Sequence, residues 1–387
     1  MSKRILVISP TPTHPTNAGN RIRIRQLVDA LCGLGHEVHL LVASREQSDP
    51  AAMQAWLGER MHVTPYHWRP RRETLVSRLA RWIKQAIDSD SRHLWRLDDW
   101  YDPELDAEID RLQRQHRFEV VVVEYVFFSR ALERFGPEVF KVIDTHDRFT
   151  MRHRLYLDMG LPAQFYSTTE SDEARGLARA DLVLAIQDKE REFFARICRR
   201  PVVTVGHLVT VEPLLRGDGG RDEFAVLVVG SANAINIQGV QEFVRETWPL
   251  VRKEISTARL LLAGAVCKAE IEGEGIIRLG FVDDIRDAYR QANVVVNPVR
   301  NSTGLNIKSI EALGYGMPFV TSVAGARGLD SSGGRNFVVA DVPTDMAAAI
   351  VEIHHYRELA ESLSAAAAAY ARTWNRSALR ELSAHLA

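Results

Sequence analysis

The sequence has few of the features that identify secreted, zinc-binding or membrane-spanning proteins. Its 387 residues include three cysteines, Cys32, Cys198 and Cys267, which form no CxxC or Cys/His pattern. A disulfide framework and a zinc site of the Cys/His type are therefore not expected. No apolar run approaches the roughly 20 residues that cross a bilayer, and the first run ends at Pro10. We expect a cytoplasmic protein without a leader or a membrane span.

The chain also lacks an excess of charge of one sign. Lys plus Arg number 49 and Asp plus Glu number 50, which leaves a formal net charge of -1. No global basic field recruits nucleic acid, so nucleic acid is not an expected partner. Hydrophobic residues at 46% and charged residues at 26% are ordinary for a globular protein. The length is more than twice the roughly 150 residues of a typical domain and predicts two domains.

Continuous apolar strands alternate with helical patterns in both halves of the chain, which is typical of parallel α/β domains. Strands are predicted at 5–8, 38–42, 120–123, 141–143 and 182–186, and again at 224–229, 259–263, 276–279, 294–297 and 318–321. The pattern predicts an N-terminal domain over 1–206, a Gly-rich charged linker over 207–223 and a second domain over 224–365. A C-terminal helix over 366–387 can pack back on the N-terminal domain. Ligands of such sheets lie beyond the carboxyl ends of the strands, so we expect the two domains to face a cleft.

The most informative segment runs from Val294 to Leu329. An apolar strand ends at Asn297, a loop containing Gly304 follows, and a helix is predicted over about 305–313. The backbone N–H groups at such a helix start readily bind phosphate, and glycine permits a close approach.

Two charged residues of this helix suit a nucleotide diphosphate. Lys308 lies in the first turn, and Glu311 lies three residues further on the same face. The lysine can pair with phosphate and the glutamate can accept hydrogen bonds from ribose hydroxyls. A solvated helix face is the alternative interpretation of the same residues.

The segment resembles the donor-binding signature of retaining glycosyltransferases of family 4, which have the GT-B fold. The matching residues are Gly304-Leu305, Glu311-Ala312-Leu313 and Gly316-Met317-Pro318-Phe319-Val320. The resemblance implies two Rossmann-like doubly wound domains facing a cleft. It also implies that Glu311 holds the ribose hydroxyls and that the amides of Gly304 and Leu305 face the diphosphate or the sugar.

The sequence departs from the family pattern at two places. Many members have a first glutamate eight positions before the second, and Thr303 stands there in this chain. Thr303 is kept as a donor-binding position, although a hydroxyl does not replace a carboxylate. Many members also carry an Arg and a Lys after the first strand of the second domain, where this chain has Gly230 followed by neutral residues. Lys308 is therefore the predicted catalytic cation, and Asn233 and Asn236 can give neutral hydrogen bonds to the donor.

The first strand is followed by a loop that ends at Asn20 and leads into a helix. The loop resembles the family's glycine-containing first loop, which implies that Gly19 and Arg21 approach the donor. We prefer Arg21 to Arg23 because it is nearer the helix start, and the two cannot face the same way. An ordinary strand-to-helix loop remains the alternative.

Polar residues follow two later strands of the first domain. His146 and Asp147 come directly after the strand at 141–143, where cleft residues belong. The family often has His-Asp or His-Asn at this point, close to the transferred sugar, so His146 is predicted as catalytic and Asp147 as acceptor-side. Glu124, at the end of the strand at 120–123, is a further acceptor-side candidate. Structural roles for these residues remain the alternative.

Residues 67–96 form a local basic segment, with eight Arg or Lys against three acidic residues. An apolar helical face beside the basic residues predicts peripheral contact with an anionic membrane or a phosphorylated lipid. A core-facing helix with a solvated basic side fits equally well. Asp88-Ser89-Asp90 within this segment has the DxD spelling of a metal site, but it follows a polar break and is interpreted as a solvated turn. No metal is predicted.

These observations together predict a glycosyltransferase that requires neither metal nor cofactor. It moves a sugar from a nucleotide-diphosphate-sugar donor to a glycan, lipid-linked or small-molecule acceptor, at the inner face of the membrane or in the cytoplasm. The resemblance implies retention of the anomeric configuration and a role in glycan assembly. Two alternatives stay open: a non-catalytic protein of the same fold that binds a nucleotide sugar or acts as a scaffold, and an epimerase that converts the donor without an acceptor.

Overall fold

The computed structural model describes residues 2–67, 89–214, 224–302, 304–329 and 335–386. The chain divides into two compact units, one of Met1–Gly206 with Ala378–Ala387 and one of His207–Ser377. Each unit contains its own parallel sheet with helices between successive strands. The predicted α/β class with two Rossmann-like domains is confirmed.

In the described part of the first unit, seven parallel strands form a sheet in the order β3-β2-β1-β4-β5-β6-β7. The strands are β1 (Arg4–Ser9), β2 (Glu37–Val42), β3 (Met61–Val63), β4 (Val120–Glu124), β5 (Phe140–Asp144), β6 (Leu182–Ala185) and β7 (Val202–Thr204). The α-helices are α1 (Gly19–Gly33), α2 (Pro50–Leu57), α3 (Leu105–His116), α4 (Arg152–Leu157), α5 (Glu170–Leu177) and α6 (Asp188–Ile197). Short 3-10 helices lie at Gly58–Arg60, Ser89–His93 and Val126–Arg134.

The central strands of this sheet are buried because helices cover both faces. In β4 the four valines and Glu124 are all buried, and Leu6 and Ile8 of β1 are fully buried beside them. Burial of each such aliphatic side chain contributes about 1.5–3 kcal/mol. The strand order reverses between β1 and β4, and the carboxyl ends at such a switch point are where ligands of doubly wound sheets bind.

In the second unit, six described strands form a parallel sheet in the order β10-β9-β8-β11-β12-β13. They are β8 (Ala225–Val229), β9 (Arg259–Ala263), β10 (Ile276–Gly280), β11 (Val294–Asn297), β12 (Phe319–Thr321) and β13 (Val338–Val339). The helices are α7 (Ala234–Glu242), α8 (Trp248–Glu254), α9 (Ile285–Arg290), α10 (Ile307–Gly314), α11 (Pro343–His355) and α12 (Arg357–Leu386), with a π-helical turn at Phe243–Thr247 and a 3-10 helix at Ala265–Lys268. Helix α12 contributes residues to both units. The switch point of this sheet lies between β8 and β11.

Within the described residues, no helix combines the length and the apolar character that a membrane crossing requires.

Candidate functional site

The loop after β8 is tied to the start of helix α7 by its own polar side chains. Asn233 caps the helix, because its Oδ1 atom accepts a hydrogen bond of 2.8 Å from the backbone N–H of Asn236. The Nδ2 atom of Asn236 donates to Ser231 Oγ at 2.9 Å. The first-turn N–H groups of α7 are thereby held at the switch point of the sheet.

Gly230 supports this loop through its backbone. Its N–H donates to the carbonyl of Ala263 at 3.0 Å, and its carbonyl accepts from the N–H of Val266 at 3.0 Å. A β-carbon on Gly264 would lie 2.6 Å from the Gly230 carbonyl oxygen, so the loops after β8 and β9 pack directly on each other. The Gly230 amide, predicted as a donor-binding group, is therefore engaged within the protein.

The loop after β11 is closed by Gly304 and Asn306. Gly304 has φ +60°, the left-handed conformation that favours glycine, and it is buried together with Leu305. The Nδ2 atom of Asn306 donates to Ser302 Oγ at 2.9 Å and to the Ala324 carbonyl at 3.0 Å. Helix α10 therefore begins at Ile307 and not at about residue 305, as the sequence predicted. Thr303 lies outside the described residues.

Lys308 is the charged group at this switch point. The residue is half-buried, and its Nζ atom donates a hydrogen bond of 2.7 Å to Oδ1 of Asn236. Among the described residues no carboxylate forms an ion pair with it. Burial lowers the pKa of Lys308 to about 7 because desolvation disfavours the charged form. When protonated, the side chain is a cation held in place by a neutral amide, which leaves its charge available to an anionic ligand.

Glu311 lies one helical turn beyond Lys308 and is also half-buried. Burial raises the pKa of its carboxyl group to about 7. Burial, and to a lesser extent the charge of Glu311, raises the pKa of the fully buried Tyr289, whose ring centroid lies 4.6 Å from that of Tyr315. In the part of the chain that the structure describes, the Tyr289 hydroxyl is buried without a hydrogen-bond partner. Helix α10 thus presents an acceptor and a cation, and neither forms an ion pair with another described residue.

Buried hydrogen bonds fasten the inner face of α10 to the sheet. Ser309 Oγ donates to the carbonyl of Gly325 at 2.9 Å and accepts from Asn297 Nδ2 at 2.9 Å. A β-carbon on Gly325 would lie 2.9 Å from the Asn297 carbonyl oxygen and closer still to Thr321 Oγ1. Glycine is therefore required at 325, and α10 is held in one position over β11 and β12.

In the first unit, Glu124 and His146 meet at the carboxyl ends of β4 and β5. Glu124 and Asp144 are direct partners in the register of these strands, and His146 follows β5 by two residues. The Nε2 atom of His146 lies 2.5 Å from Glu124 Oε2 and 3.6 Å from Asp144 Oδ2. All three side chains are buried. The sequence placed Glu124 and His146 at strand ends, and the structure brings the two side chains into contact.

Arg23 completes this cluster, although Arg21 was the arginine of this helix that the sequence favoured as a site residue. The Nε and Nη2 atoms of Arg23 donate to the two oxygens of Asp144 at 2.8 and 2.5 Å, and Nη2 also donates to the Val205 carbonyl at 3.1 Å. The signal that could have indicated Arg23 is Asp144 itself, since a carboxylate at the end of an apolar strand needs a cationic partner.

The protonation of the cluster follows from burial. Desolvation lowers the pKa of His146 to about 4, and the pKa of Glu124 is raised by burial and by the charge of Asp144. Both pKa shifts place the shared proton on Glu124 and not on His146. The neutral carboxylic acid of Glu124 therefore donates a hydrogen bond to the Nε2 atom of a neutral imidazole. Arg23 balances the charge of Asp144.

The backbone at this edge is strained. His146 has φ +59° and Tyr125 has φ +71°, both in the left-handed region that non-glycine residues rarely adopt. Their rings stack with centroids 4.0 Å apart and planes inclined by 16°. Conformations of this kind cost of order 1–3 kcal/mol and persist where the surroundings impose them, commonly at functional sites.

The remaining site residues predicted in the first unit are Gly19, Arg21 and Asp147. Gly19 is the first residue of α1. The Nη2 atom of Arg21 donates to Glu46 Oε2 at 2.7 Å and to the Gln47 carbonyl at 3.0 Å. Asp147 lies 3.6 Å from the Nη2 atom of Arg152. Arg21 is thus held by the loop after β2. Asp147 lies close enough to His146 that its charge partly opposes the lowering of the His146 pKa by burial.

Two sequence predictions concern residues that are partly or wholly outside the described ranges. Residues 68–88 hold most of the basic segment and Asp88, so the predicted membrane contact lies outside the described residues. Asp90 is described, and it is not the solvated residue that we expected. It accepts a hydrogen bond of 2.8 Å from Arg154 Nε and lies 3.2 Å from His153 Nε2.

The ligating atoms of Glu124, Asp144 and His146 all lie within 4.8 Å of one another, close enough to bind a metal ion. Arg23 already supplies a positive charge to this cluster. The prediction that no metal takes part stays a prediction.

Comparisons with known proteins find matches to the second unit and to the fold of the chain. Residues 223–355, which hold the Lys308 site, match the family model described as glycosyl transferases group 1. An uncharacterized 44.6 kDa protein in the cps region of Klebsiella pneumoniae is 21% identical over 369 residues, which cover 87% of each chain. The expected relation to glycosyltransferases is confirmed at the level of this domain.

Solved structures share the fold along the whole chain. A sucrose-phosphate synthase from Thermosynechococcus elongatus has a TM-score of 0.72 at 16% identity and covers 99% of this chain and 98% of its own. The pneumococcal O-GlcNAc transferase GtfA, solved with UDP and GlcNAc, has a TM-score of 0.66 at 11% identity with 99% and 98% coverage. Anabaena HepE, solved with UDP and glucose, has a TM-score of 0.62 at 14% identity with 98% and 99% coverage. The GT-B fold is therefore confirmed.

Proposed function

We propose that this protein is a glycosyltransferase that moves a sugar from a nucleotide-diphosphate donor to a glycan, lipid-linked or small-molecule acceptor. The observation that carries the proposal is the contact between Lys308 and Asn236 at the switch point of the second sheet. It places a partly desolvated cation between the starts of α7 and α10, and a region matching the glycosyl transferases group 1 model contains both helices.

The donor diphosphate is the ligand that this site suits best. Lys308 and the first-turn amides of two helices offer positive potential at one point. Glu311, one turn further, can accept hydrogen bonds from the two ribose hydroxyls. GtfA and HepE were solved with UDP, which makes a uridine nucleotide the first one to test.

The chemistry follows from the charge that develops on the donor. When the bond between the sugar and the diphosphate breaks, negative charge accumulates on the leaving phosphate. A protonated Lys308 stabilises that charge, as preorganised electrostatic groups do at transition states. Loss of one such group costs about 10²–10³ in kcat. Because a protein cation supplies this charge, we propose a reaction that requires no metal ion.

We propose that the Glu124–His146 pair serves the transferred sugar and the acceptor. With Nε2 accepting from Glu124, the neutral His146 ring carries its proton on Nδ1 and is a hydrogen-bond donor there. Retention of the anomeric configuration is part of the proposal and rests on the motif resemblance. The cps-region relative supports a role in glycan assembly.

Nucleotide binding is tested by thermal shift with UDP, GDP, ADP and dTDP, since a ligand that binds the folded state raises its stability. One nucleotide should raise the unfolding temperature of the wild type. Lys308→Gln should reduce that increase, whereas Lys253→Gln, on the exposed side of α8, should not. No increase with any nucleotide would contradict the proposal.

Turnover is tested by proton NMR of the matching nucleotide sugar, with and without candidate acceptors. Release of nucleotide with a product of unchanged anomeric configuration is the expected result. Binding without release would favour the non-catalytic alternative, which the neutral loop from Gly230 to Asn236 motivates. A changed sugar still attached to the nucleotide would identify an epimerase.

A further inference from the structure

A cluster of three histidines lies in the first unit, away from the residues considered above. His39 is in β2, His62 is in β3 and His116 is the last residue of α3. His62 pairs in register with Leu41, which shares a sheet face with His39 because side chains alternate along a strand. Helix α3 ends over this same face. The three imidazoles therefore converge at the edge of the sheet.

The cluster has the geometry of a metal site. One ring nitrogen from each histidine lies within 4.8 Å of the other two. His39 Nδ1 and His62 Nε2 are 3.0 Å apart. A tetrahedral zinc site with Zn–N distances of 2.0–2.1 Å separates its nitrogens by about 3.3 Å, so these two atoms need to move apart by only about 0.3 Å.

Two further observations favour a metal ion over a simple stack of imidazole rings. The Nε2 atom of His116 is buried and has no hydrogen-bond partner among the described residues. The Nε2 atom of His39 lies 3.1 Å from Glu37 Oε1, the carboxylate–histidine contact that orients metal-binding imidazoles. With its proton on Nε2, His39 presents the free lone pair of Nδ1 toward His62.

We propose that His39, His62 and His116 bind one divalent transition-metal ion of the zinc class, with water in the fourth position. His62 binds through Nε2 after its ring proton moves to Nδ1, so no net proton transfer is required. The rings of Phe118 and His39 pack edge to face with their centroids 5.1 Å apart, and both side chains are buried.

The role of this ion is structural. His39 is level with Val121 of β4 in the sheet register, since both pair with Leu6. The cluster therefore lies three residues, or about 10 Å, below Glu124 along the strands and two strands to the side. An ion there joins the edge strand β3 to β2 and α3 and takes no part in the proposed transfer.

The burial of the cluster agrees with this proposal. The pKa of His62 is lowered to about 4 by burial and by the neighbouring histidines, and the pKa of His116 is lowered by burial and by His39. Glu108 and Arg111 on α3 lie nearby and form an ion pair with each other, so together they add no net charge to the cluster.

The test uses the full chain, freed of any purification tag and stripped with a chelator. Titration with Zn²⁺ should show one saturable site per chain and raise the unfolding temperature. Titration with Co²⁺ should give the visible absorption bands of a four-coordinate ion, which nitrogen ligation in a tetrahedral site produces. His116→Gln and His62→Gln should both abolish this site, and His385→Gln, on α12, should retain it.

A milder variant separates metal binding from folding. Glu37→Gln changes a half-exposed side chain and keeps all three ligands, and it should weaken Zn²⁺ binding about 10–100-fold. Absence of a stoichiometric site in the wild type would overturn the proposal. Zn²⁺ binding that persists undiminished in both His116→Gln and Glu37→Gln would also overturn it, because the ion would then lie elsewhere.

Discussion

The Nζ atom of Lys308 donates a hydrogen bond of 2.7 Å to Oδ1 of Asn236, joining the helices that follow the two central strands of the second unit. Asn236 is held in turn by Ser231 and by the cap residue Asn233. The amine is thus positioned by neutral groups, and an anionic ligand would be its first charged partner.

Nucleotide binding should weaken as the pH rises above about 7. The pKa of Lys308 is near 7 in the free protein, so the amine loses its charge above that pH and no longer attracts the diphosphate. Isothermal titration with the preferred nucleotide between about pH 6 and 9 measures the effect. In Lys308→Gln the alkaline decrease should disappear. Ionisation of the nucleotide itself is common to both proteins, and an unchanged alkaline decrease in the variant would contradict the assignment.

Lys308→Met should stabilise the protein at neutral pH while it impairs binding. The folded-state pKa of Lys308 lies below its ordinary value of 10.5, so the unfolded state binds this proton more tightly than the folded state does. The group therefore destabilises the fold most below about pH 7, and this destabilisation disappears as the pH rises to 10.5. Removing the desolvated cation should therefore raise the free energy of unfolding by about 1 kcal/mol at pH 7. Urea unfolding measures this gain, which should shrink near pH 10. Lys253→Met should leave stability unchanged.

Glu124→Gln should retain more turnover than Glu124→Ala. The protonated carboxyl group donates to Nε2 of His146, and the amide of glutamine can donate in the same way. Alanine leaves the imidazole without that contact and free to change its tautomer. Steady-state kinetics of both variants test this expectation, with unfolding temperatures as the control for folding. Equal losses in the two variants would show that the hydrogen bond is not what positions His146.

Arg23→Ala should destabilise the first unit far more than Arg25→Ala. Removal of the Arg23 side chain leaves the buried Asp144 carboxylate without a partner of opposite charge. The loss should lower the free energy of unfolding by about 3–5 kcal/mol. Arg25 lies on the same helix and forms a largely exposed pair with Asp29 at 3.7 Å, worth about 0–1 kcal/mol. Urea unfolding of the two variants measures the difference. Similar losses would contradict the role of Arg23 as the partner of Asp144.

The sequence predicted the central strands well because buried parallel strands are continuous apolar runs. The strands at 259–263 and 294–297 were placed at their observed ends. The edge strands β3, β7 and β13 were missed, since each has two or three residues and its pairing depends on a neighbour distant in sequence. The start of α10 was placed too early because the left-handed turn at Gly304 and the side-chain bonds of Asn306 are not visible in an apolar pattern.

The sequence by itself determined which residue types follow which strands: a lysine and a glutamate one turn apart in α10, two asparagines after β8, and a histidine after β5. Local periodicity is sufficient for this, because the carboxyl ends of parallel strands share one edge of a sheet. The tertiary structure alone decided the partners. It paired Lys308 with Asn236, Arg23 with Asp144 and Glu124 with His146, and it gathered His39, His62 and His116 from three elements. Contacts between residues so far apart in sequence depend on packing and register, which no local pattern of residues records.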